Sequence, residues 1–357
     1  RLASTTATSS VYVVVGEGDT TGDYLVLGGV ADTIALSSGA DTVFAYAGNN
    51  YLNLGDGANS VEAGAGADTV IAGAGNDTIK SGDGTDSIDA GAGANVIELG
   101  SGQDTVIAGA GADSVFAIAA DTAGDRYLLG GGADSVYAGN GSDWIDVSAS
   151  SGDSGDYVEA GSGNDTVITG DGNDIVLAGS GADSIDLGAG SDSVLLVADS
   201  FGVDTIELGA GNDTVNASAD TSGVYVLVSV SDATGGDYIM LGSGADTVRL
   251  GDAADTVLAG SGADSLELGG GNDYVQYSPD ALADLLLLGS GQDSVVASGS
   301  TGFYLVVQSA DTLGDYVSGS SGADTLIGDS DAIGETLLGA NGTDSIDGKG
   351  GADSIIA

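Results

Sequence analysis

The chain has no cysteine and no histidine, and it has one proline and five basic residues among its 357 residues. Without cysteine no disulfide can stabilise the fold, and the redox compartment cannot be read from cysteine usage. Without histidine, Ser-His-Asp catalysis, Cys-His catalysis and histidine-ligated zinc sites are excluded. No apolar run approaches the ~18 residues of a membrane-spanning segment, so we expect no transmembrane segment.

Acidic residues, by contrast, are abundant. Fifty-four Asp and Glu against five Lys and Arg give a formal net charge of −49. A surface of that charge repels phosphate, which argues against nucleic acid as a partner and against phosphate binding in glycine-rich turns. A globular fold tolerates this density of carboxylates only if counterions are bound.

Glycine occupies 65 positions and recurs in a fixed nine-residue pattern. From Gly64 to Ala117, six consecutive units read GAGADTVIA, GAGNDTIKS, GDGTDSIDA, GAGANVIEL, GSGQDTVIA and GAGADSVFA. Eighteen units match Gly-x-Gly-x-Asp/Asn, and sixteen of these have Asp. A short fixed period indicates one small structural element that is stacked many times.

Each unit predicts a glycine turn followed by a strand of three or four residues. In the unit Gly73 to Ser81 the glycines permit positive φ, Asp77 ends the turn, and the residues after it alternate as in a strand. Strands stacked at about 4.8 Å form a parallel sheet over an interior column. The predicted column is Val70, Ile79, Ile88, Ile97, Val106 and Val115, and a second inward column two positions on is Ala72, Ser81, Ala90, Leu99, Ala108 and Ala117.

These units resemble the nonapeptide repeats of RTX (hemolysin-type) calcium-binding proteins, G-G-x-G-x-D-x-U-x. The resemblance implies a parallel β-roll with two units per coil, in which the Asp and the carbonyls of the glycine turn coordinate Ca²⁺ between successive turns. The first glycine of the family pattern is usually Ala or Leu here, as at Ala72 or Leu99, which keeps a carbonyl but would strain a positive φ. The resemblance assigns calcium ligation to Gly64, Gly66, Asp68, Gly73, Gly75, Asp77, Gly82, Gly84, Asp86, Gly100, Gly102, Asp104, Gly109, Gly111, Asp113, Asp134, Asp143, Gly161, Gly163, Asp165, Gly170, Gly172, Asp174, Asp183, Asp192, Asp213, Asp246, Asp264, Asp273 and Asp293.

The carboxylate or amide position of the repeat, here called the slot, organises nearly the whole chain. It recurs every nine residues from Asp23 to Asp113, with Asn50, Asn59 and Asn95 in place of Asp. Beyond Asp113, longer steps of twelve or thirteen residues interrupt the runs of nine, and we interpret the extra residues as a second turn type. These inserted turns lie at Asp19 to Tyr24, Asp121 to Asp125, Asp153 to Tyr157, Ala233 to Tyr238 and Asp311 to Tyr316.

The last third of the chain departs from the pattern. Val224 and Phe303 occupy slots, Glu335 replaces Asp in another, and Ala253 replaces a second glycine. We expect these turns to be metal-free and held by packing. Residues 1–10 are expected to be a flexible lead-in or linker, and residues 11–357 a single continuous, right-handed, all-β parallel β-roll or β-solenoid of about seventeen coils. Such a roll would be about 80 Å long and almost free of helix.

The net charge predicts bound calcium independently of the resemblance. At one to two ions per coil, roughly fifteen to thirty Ca²⁺ would cancel most of the negative charge. Without metal, the slot carboxylates of stacked coils would lie about 5 Å apart and repel each other. We therefore expect the metal-free chain to be largely unfolded.

The composition and the repeat favour a non-enzymatic protein, because every paired carboxylate is a repeat position with a metal-binding explanation. The resemblance implies export from a bacterium, and hence a secreted, extracellular or cell-surface location. We see no N-terminal signal peptide and no capping unit at either end, so we expect a mature, trimmed or excised chain, or ends that stack on other copies. Outward Tyr residues, such as Tyr24 and Tyr316, either cover the inserted loops or make lateral contacts between neighbouring molecules.

The leading hypothesis is a calcium-stiffened rod that assembles with copies of itself, head to tail or laterally, into a filament, surface layer or matrix. A cell-surface polysaccharide is a second candidate partner. The main alternative is a monomeric calcium-binding module of a larger RTX adhesin or secreted enzyme. A third hypothesis, ice binding, rests on the outward Thr and Ser that follow the slots, as at Thr69 and Thr105.

Overall fold

A computed structural model describes residues 2–3, 9–148, 154–198, 202–228, 235–278, 284–299, 301–307, 313–330 and 333–357. In these ranges every regular element is a β-strand and none is a helix, so nothing there could cross a membrane as an apolar helix. The strands build a parallel β-solenoid of about seventeen turns with two strands per coil, which confirms the predicted fold class. The right-handed sense stays a prediction. The chain divides into two compact units, residues 1–179 and residues 180–357.

In the first unit, successive strands alternate between two parallel sheets. Sheet A contains β1 (Leu2–Ala3), β3 (Tyr24–Val26), β5 (Thr42–Phe44), β7 (Ser60–Glu62), β9 (Thr78–Lys80), β11 (Val96–Glu98), β13 (Ser114–Phe116), β15 (Ser135–Tyr137), β17 (Tyr157–Glu159) and β19 (Ile175–Gly179). Sheet B contains β2 (Tyr12–Val14), β4 (Thr33–Ala35), β6 (Tyr51–Asn53), β8 (Thr69–Ile71), β10 (Ser87–Gly91), β12 (Thr105–Ala108), β14 (Arg126–Leu128), β16 (Trp144–Asp146) and β18 (Thr166–Ile168).

The second unit repeats this alternation. Its sheet A strands are β21 (Ser193–Leu196), β23 (Thr214–Asn216), β25 (Tyr238–Met240), β27 (Thr256–Ala259), β29 (Tyr274–Tyr277), β31 (Ser294–Ala297), β33 (Tyr316–Ser318), β35 (Thr336–Leu338) and β37 (Ser354–Ile356). Its sheet B strands are β20 (Ser184–Asp186), β22 (Asp204–Glu207), β24 (Val224–Leu227), β26 (Thr247–Arg249), β28 (Ser265–Glu267), β30 (Leu285–Leu288), β32 (Tyr304–Val307), β34 (Thr325–Ile327) and β36 (Ser345–Asp347).

The strand register shows how the predicted interior is built. Val70 pairs with Ile88, and Ile88 with Val106, in sheet B, whereas Ile79 pairs with Ile97 in sheet A. The predicted column is therefore two columns, one from each sheet. All six members are at most 1 % exposed, which confirms that they form the core.

The second inward column is confirmed except at its last member. Ala72, Ser81, Ala90, Leu99 and Ala108 are buried. Ala117, which was expected to point inward as well, is only half-buried. Its N–H still donates to the carbonyl of Tyr137 at 2.9 Å, as that of Ala72 does to Asp89, but Ala117 begins the longer connection from β13 to β14 at Arg126.

The start of the chain already contains a strand. Leu2–Ala3 pairs in parallel with β3, so part of the predicted lead-in 1–10 belongs to sheet A. Residue 1 and residues 4–8 lie outside the described residues, and the proposed boundary at residue 10 stays a prediction. The next strand, β2, pairs in parallel with β4.

Candidate metal centre

Each slot carboxylate connects its own coil to the coil before it. The backbone N–H of Asp68 donates to Asp86 Oδ1 at 2.8 Å, and that of Asp86 donates to Asp104 Oδ1 at 2.8 Å. The main-chain carbonyl of Asp68 accepts the N–H of Ser87 in the next coil at 2.9 Å. The slot therefore forms a ladder of hydrogen bonds along one edge of the solenoid, and these Asp side chains are buried rather than displayed.

The second carboxylate oxygen of several slots has no such bond. Asp104 is fully buried and Asp143 is 2 % exposed, and the Oδ2 atom of each is buried without a hydrogen-bond partner. An ionised carboxylate in this position is costly unless a proton or a cation neutralises it. The same holds at Asp32, Asp246 and Asp273.

The pKa values report this cost directly. The pKa of the Asp104 carboxyl is raised to about 7, chiefly by burial. The hydrogen bond from the Asp86 N–H lowers this pKa, and the neighbouring carboxylates raise it. Burial likewise raises the pKa of Asp143 to about 7 and that of Asp273 to about 8. Groups this reluctant to ionise in the metal-free chain create sites with a strong demand for positive charge.

The three Asn slots show which atoms surround the second slot atom. Asn59 donates from Nδ2 to the carbonyl oxygens of Gly57 at 3.1 Å, Gly55 at 3.2 Å and Ala72 at 3.0 Å. Its Oδ1 still accepts the N–H of Asp41 at 3.0 Å, as in the Asp ladder. The glycine turn therefore directs carbonyl oxygens at the slot side chain.

An Asp slot places an oxygen where the Asn slot has its amide nitrogen, because Oδ1 makes the same bond in both. Carboxylate and carbonyl oxygens then face each other with no hydrogen between them. That is the hard oxygen donor set that Ca²⁺ prefers. The residues present therefore fit a calcium ion, which would neutralise the slot carboxylate and draw the turn carbonyls together.

The glycines of the turn are required for the close approach of successive coils. Gly75 has φ of +144°, and a Cβ at this position would lie 2.1 Å from the carbonyl oxygen of Gly57 in the preceding coil. Its N–H donates to the carbonyl of Ala92 in the following coil at 2.8 Å. Ala72 and Leu99, which replace the first family glycine, are not among the residues with positive φ, so the strain expected there does not arise.

The structure brings the predicted ligands together turn by turn and not in one cluster. Within the described residues, no group of three Asp, Glu, His or Cys side chains converges as a metal site. Gly73, Gly75 and Asp77 share a turn, and the next turn on that edge begins at Gly91. Each site would therefore combine one or two carboxylates with backbone carbonyls, and the assignment of individual ligands stays a prediction.

Comparison with known proteins places this arrangement in a family. The protein-family model described as RTX calcium-binding nonapeptide repeat (4 copies) matches well over half of the chain. The matched residues are 26–61, 55–88, 62–97, 80–115, 121–149, 150–185, 159–194, 198–221, 233–266, 240–275, 310–332 and 334–357. The chain belongs to the RTX calcium-binding repeat family. Repeats of this family bind Ca²⁺ in general, in agreement with the buried oxygens of the slots. No curated protein matches the chain with significance.

The described inserted turns of this RTX chain pair their Asp carboxylates with backbone N–H groups. Asp121 accepts the N–H of Ala123 on Oδ1 at 3.0 Å and the N–H of Gly102 on Oδ2 at 2.9 Å. A further turn with the same Asp-Thr-x-Gly sequence, Asp220 to Gly223, is similar: Asp220 accepts the N–H of Ser222 on Oδ1 at 3.1 Å and that of Gly223 on Oδ2 at 3.2 Å. Both Asp residues are buried, and such Asx turns need no cation.

Sequence reasoning identified this second turn type but not the role of its Asp. The recurrent Asp-Thr-x-Gly motif could have indicated this role, because Asp and Thr or Ser favour turns closed by their own side chains. The inserted turns at Asp153 to Tyr157, Ala233 to Tyr238 and Asp311 to Tyr316 begin outside the described residues.

The atypical slots of the last third are held by packing. Val224 is 1 % and Phe303 is 3 % exposed, and the Phe303 ring stacks on Tyr277 with centroids 5.7 Å apart. The N–H of Val224 still donates to the slot carboxylate of Asp246 at 2.8 Å, so the ladder continues although one member lacks a carboxylate. Glu335 keeps a buried carboxyl, whose pKa burial raises to about 7. That these turns are metal-free stays a prediction.

Proposed function

We propose that this RTX chain is a non-enzymatic, extracellular structural protein of a bacterium. Calcium binding folds and stiffens the solenoid, and copies of the chain then assemble into a filament, surface layer or matrix. The membership of the RTX family supports the calcium step and the secreted location. The assembly step needs a surface on which strongly acidic chains can meet.

The distribution of charge supports such a surface. Of the 54 acidic residues in the sequence, 30 are buried in the described structure, and nearly all of these occupy slots or inserted turns. Calcium bound in the slots would neutralise this buried charge where it arises. The outer faces of the sheets would then carry much less charge than the net value of −49 suggests.

One outer face in the second unit carries no charge at all, and this observation carries the proposal. The face consists of the first and third residues of the sheet A strands β21, β23, β25, β27, β29, β31, β33, β35 and β37, and is called the neutral face. Leu195, Tyr238, Tyr274 and Tyr316 are exposed on it. The outward positions of sheet B in the same unit include, by contrast, Asp186, Glu207, Arg249, Glu267 and Asp347.

The neutral face suits contact between copies. Nine strands at about 4.8 Å, each contributing about 10 Å of width, give a face of roughly 400 Å², on which Tyr and aliphatic side chains lie among Ser, Thr, Asn and Gln. Two such faces can pack at the usual sheet separation of about 10 Å without opposing like charges. Tyr at the first position of alternate strands supplies large contact area.

Electron microscopy of the purified chain tests the proposal. In millimolar Ca²⁺ we expect filaments, sheets or other large particles, and we expect them to dissolve when excess chelator is added. Single particles at every calcium concentration would contradict assembly and would favour a calcium-binding module of a larger adhesin or secreted enzyme. Particles that are unchanged by chelator would show that calcium does not hold the structure.

A charge placed on the neutral face tests the contact itself. Gln276 is exposed on β29, and Gln276→Glu adds a charge with almost no change in shape. Gln292→Glu is the matched control, because Gln292 is equally exposed but lies in the turn before β31. We expect Gln276→Glu to weaken assembly and Gln292→Glu to leave it intact. Equal assembly of both variants would show that copies meet on another surface.

A further inference from the structure

The slots of this chain are of two chemical kinds, which differ by one amide group. An Asn slot brings an NH₂ group to the turn carbonyls, whereas an Asp slot brings a second oxygen. Asn50 donates from Nδ2 to Gly48 O at 2.9 Å, and Asn95 donates to Gly93 O at 3.1 Å. With the three bonds of Asn59, each Asn slot therefore reaches the carbonyl of the second glycine of its own turn.

The ladder does not distinguish the two kinds of slot. Asn50 Oδ1 accepts the N–H of Asp32 at 2.9 Å, and Asn95 Oδ1 accepts the N–H of Asp77 at 3.0 Å. Asp104 Oδ1 accepts the N–H of Asp86 at 2.8 Å in the same way. The oxygen that joins neighbouring coils is thus conserved in function between Asp and Asn. Only the second atom differs: it is an N–H donor in the Asn slots, whereas in Asp104 it is a buried oxygen without a hydrogen-bond partner.

We propose that the turns closed by Asn50, Asn59 and Asn95 are calcium-independent, and that the Asn amide nitrogen occupies the position that a cation takes in the Asp turns. The amide supplies two N–H donors and no negative charge, so the carbonyls around it are already satisfied. A calcium ion there would have to displace these hydrogen bonds and would gain no carboxylate ligand from the Asn turn itself. Calcium is therefore confined to slots with a carboxylate.

The arrangement of the Asn slots also interrupts the rows of carboxylates. On one edge of the first unit the ladder runs Asn59, Asp77, Asn95, so the carboxylate of Asp77 has an amide in the coil on either side. On the other edge Asp86, Asp104 and Asp125 follow one another without an amide. A calcium ion bound on either side of the Asp77 turn would therefore have Asp77 as its only slot carboxylate, because the adjacent coils contribute Asn59 and Asn95.

Native mass spectrometry of the calcium-loaded chain counts the bound ions and tests the assignment. We expect Asn59→Asp to bind at least one additional Ca²⁺ and Asp77→Asn to bind at least one fewer. Asn76→Asp is the matched control, because Asn76 is the exposed neighbour of the slot and its Oδ1 accepts only the N–H of Ala94. It adds the same charge as Asn59→Asp, and we expect an unchanged ion count.

Unfolding by urea without calcium supplies the second measurement. Asn59→Asp replaces a satisfied turn by one that demands a cation, so its metal-free form is expected to be less stable than the wild type and to regain stability with Ca²⁺. Asp77→Asn is expected to make the metal-free form more stable. An ion count that is the same in Asn59→Asp, Asp77→Asn and the wild type would overturn the proposal, as would an equal gain in the Asn76→Asp control.

Discussion

Removal of calcium is expected to make folding of the chain strongly dependent on protons. In the first unit, burial raises the pKa of nine slot carboxyls above the ordinary value of 3.8, and that of seven of them to about 6 or 7. The pKa is raised to about 6 at Asp68, Asp77, Asp113, Asp125 and Asp165, and to about 7 at Asp104 and Asp143. Because the folded pKa exceeds the unfolded one, the folded state binds more protons at pH values between the two, and its stability falls as the pH rises through this window.

The size of the effect can be stated in protons. At pH 5.5, carboxyls with a pKa of 6 to 7 are mostly protonated, whereas those of the unfolded chain are almost all ionised. On folding of the metal-free first unit, these seven groups therefore take up about six protons. Above pH 7 most of these carboxyls must ionise in the folded state, so this contribution to stability is lost.

The assay is urea unfolding followed by circular dichroism between pH 5 and 7.5. Calcium is removed at pH 7.5 and the protein is then exchanged into calcium-free buffers, so that chelator strength does not vary with pH. We expect little structure at pH 7.5 and a stable fold near pH 5.5. With saturating Ca²⁺ the sign reverses, because protons compete with the ion for the same carboxylates.

A paired variant separates slot protonation from the general loss of charge repulsion in acid. Asp104→Asn and Asp143→Asn together remove the two carboxyls with a pKa of about 7, so the proton uptake on folding should fall by about two. A metal-free stability that is constant, or that rises, from pH 5.5 to 7.5 would refute the reasoning. An unchanged proton uptake in the paired variant would show that other groups are responsible.

Two further substitutions test the turns. Gly75→Ala places a Cβ 2.1 Å from the carbonyl oxygen of Gly57, at a residue with positive φ. We expect it to lower the free energy of unfolding, measured by urea titration in Ca²⁺, by about 1–3 kcal/mol. An unchanged free energy would show that the coils can separate there. Asp121→Ala leaves the N–H groups of Gly102 and Ala123 without their acceptor and is expected to cost a similar ~1–3 kcal/mol. Its calcium count in native mass spectrometry is expected to stay the same, and a lost ion would mean that the inserted turn binds metal.

The repeat period was sufficient to predict the strands and the core. Alternation after Asp77 and the small size of Ala72 correctly placed both inward columns, since a period of two within a period of nine leaves only one arrangement that buries the apolar residues. The exception at Ala117 lies where the longer connection to β14 begins, and a repeat of nine does not show how an inserted turn covers the residue before it.

The hydrogen bonds of the slot could not be predicted in the same way. Treating Asp and Asn as one position hid the difference between Asn59, whose amide is satisfied, and Asp104, whose second oxygen is not. Periodicity shows that a residue recurs, but the partner of its side chain depends on the stacking of coils 18 residues apart. For the same reason the neutral face was not visible, because it appears only after alternate units have been assigned to opposite sheets.

The alternation of strands restricts how such a gene can change in length. Val70, Ile88 and Val106 follow one another in one sheet at intervals of 18 residues, so a whole coil is two nonapeptides. Gain or loss of one nonapeptide would move every later strand to the opposite sheet and exchange the residues of the two outer surfaces. Gain or loss of two would leave both surfaces unchanged beyond the join. Recombination between repeats can therefore add or remove an even number of nonapeptides without altering the two outer surfaces. An odd number would exchange the residues of the two surfaces beyond the join.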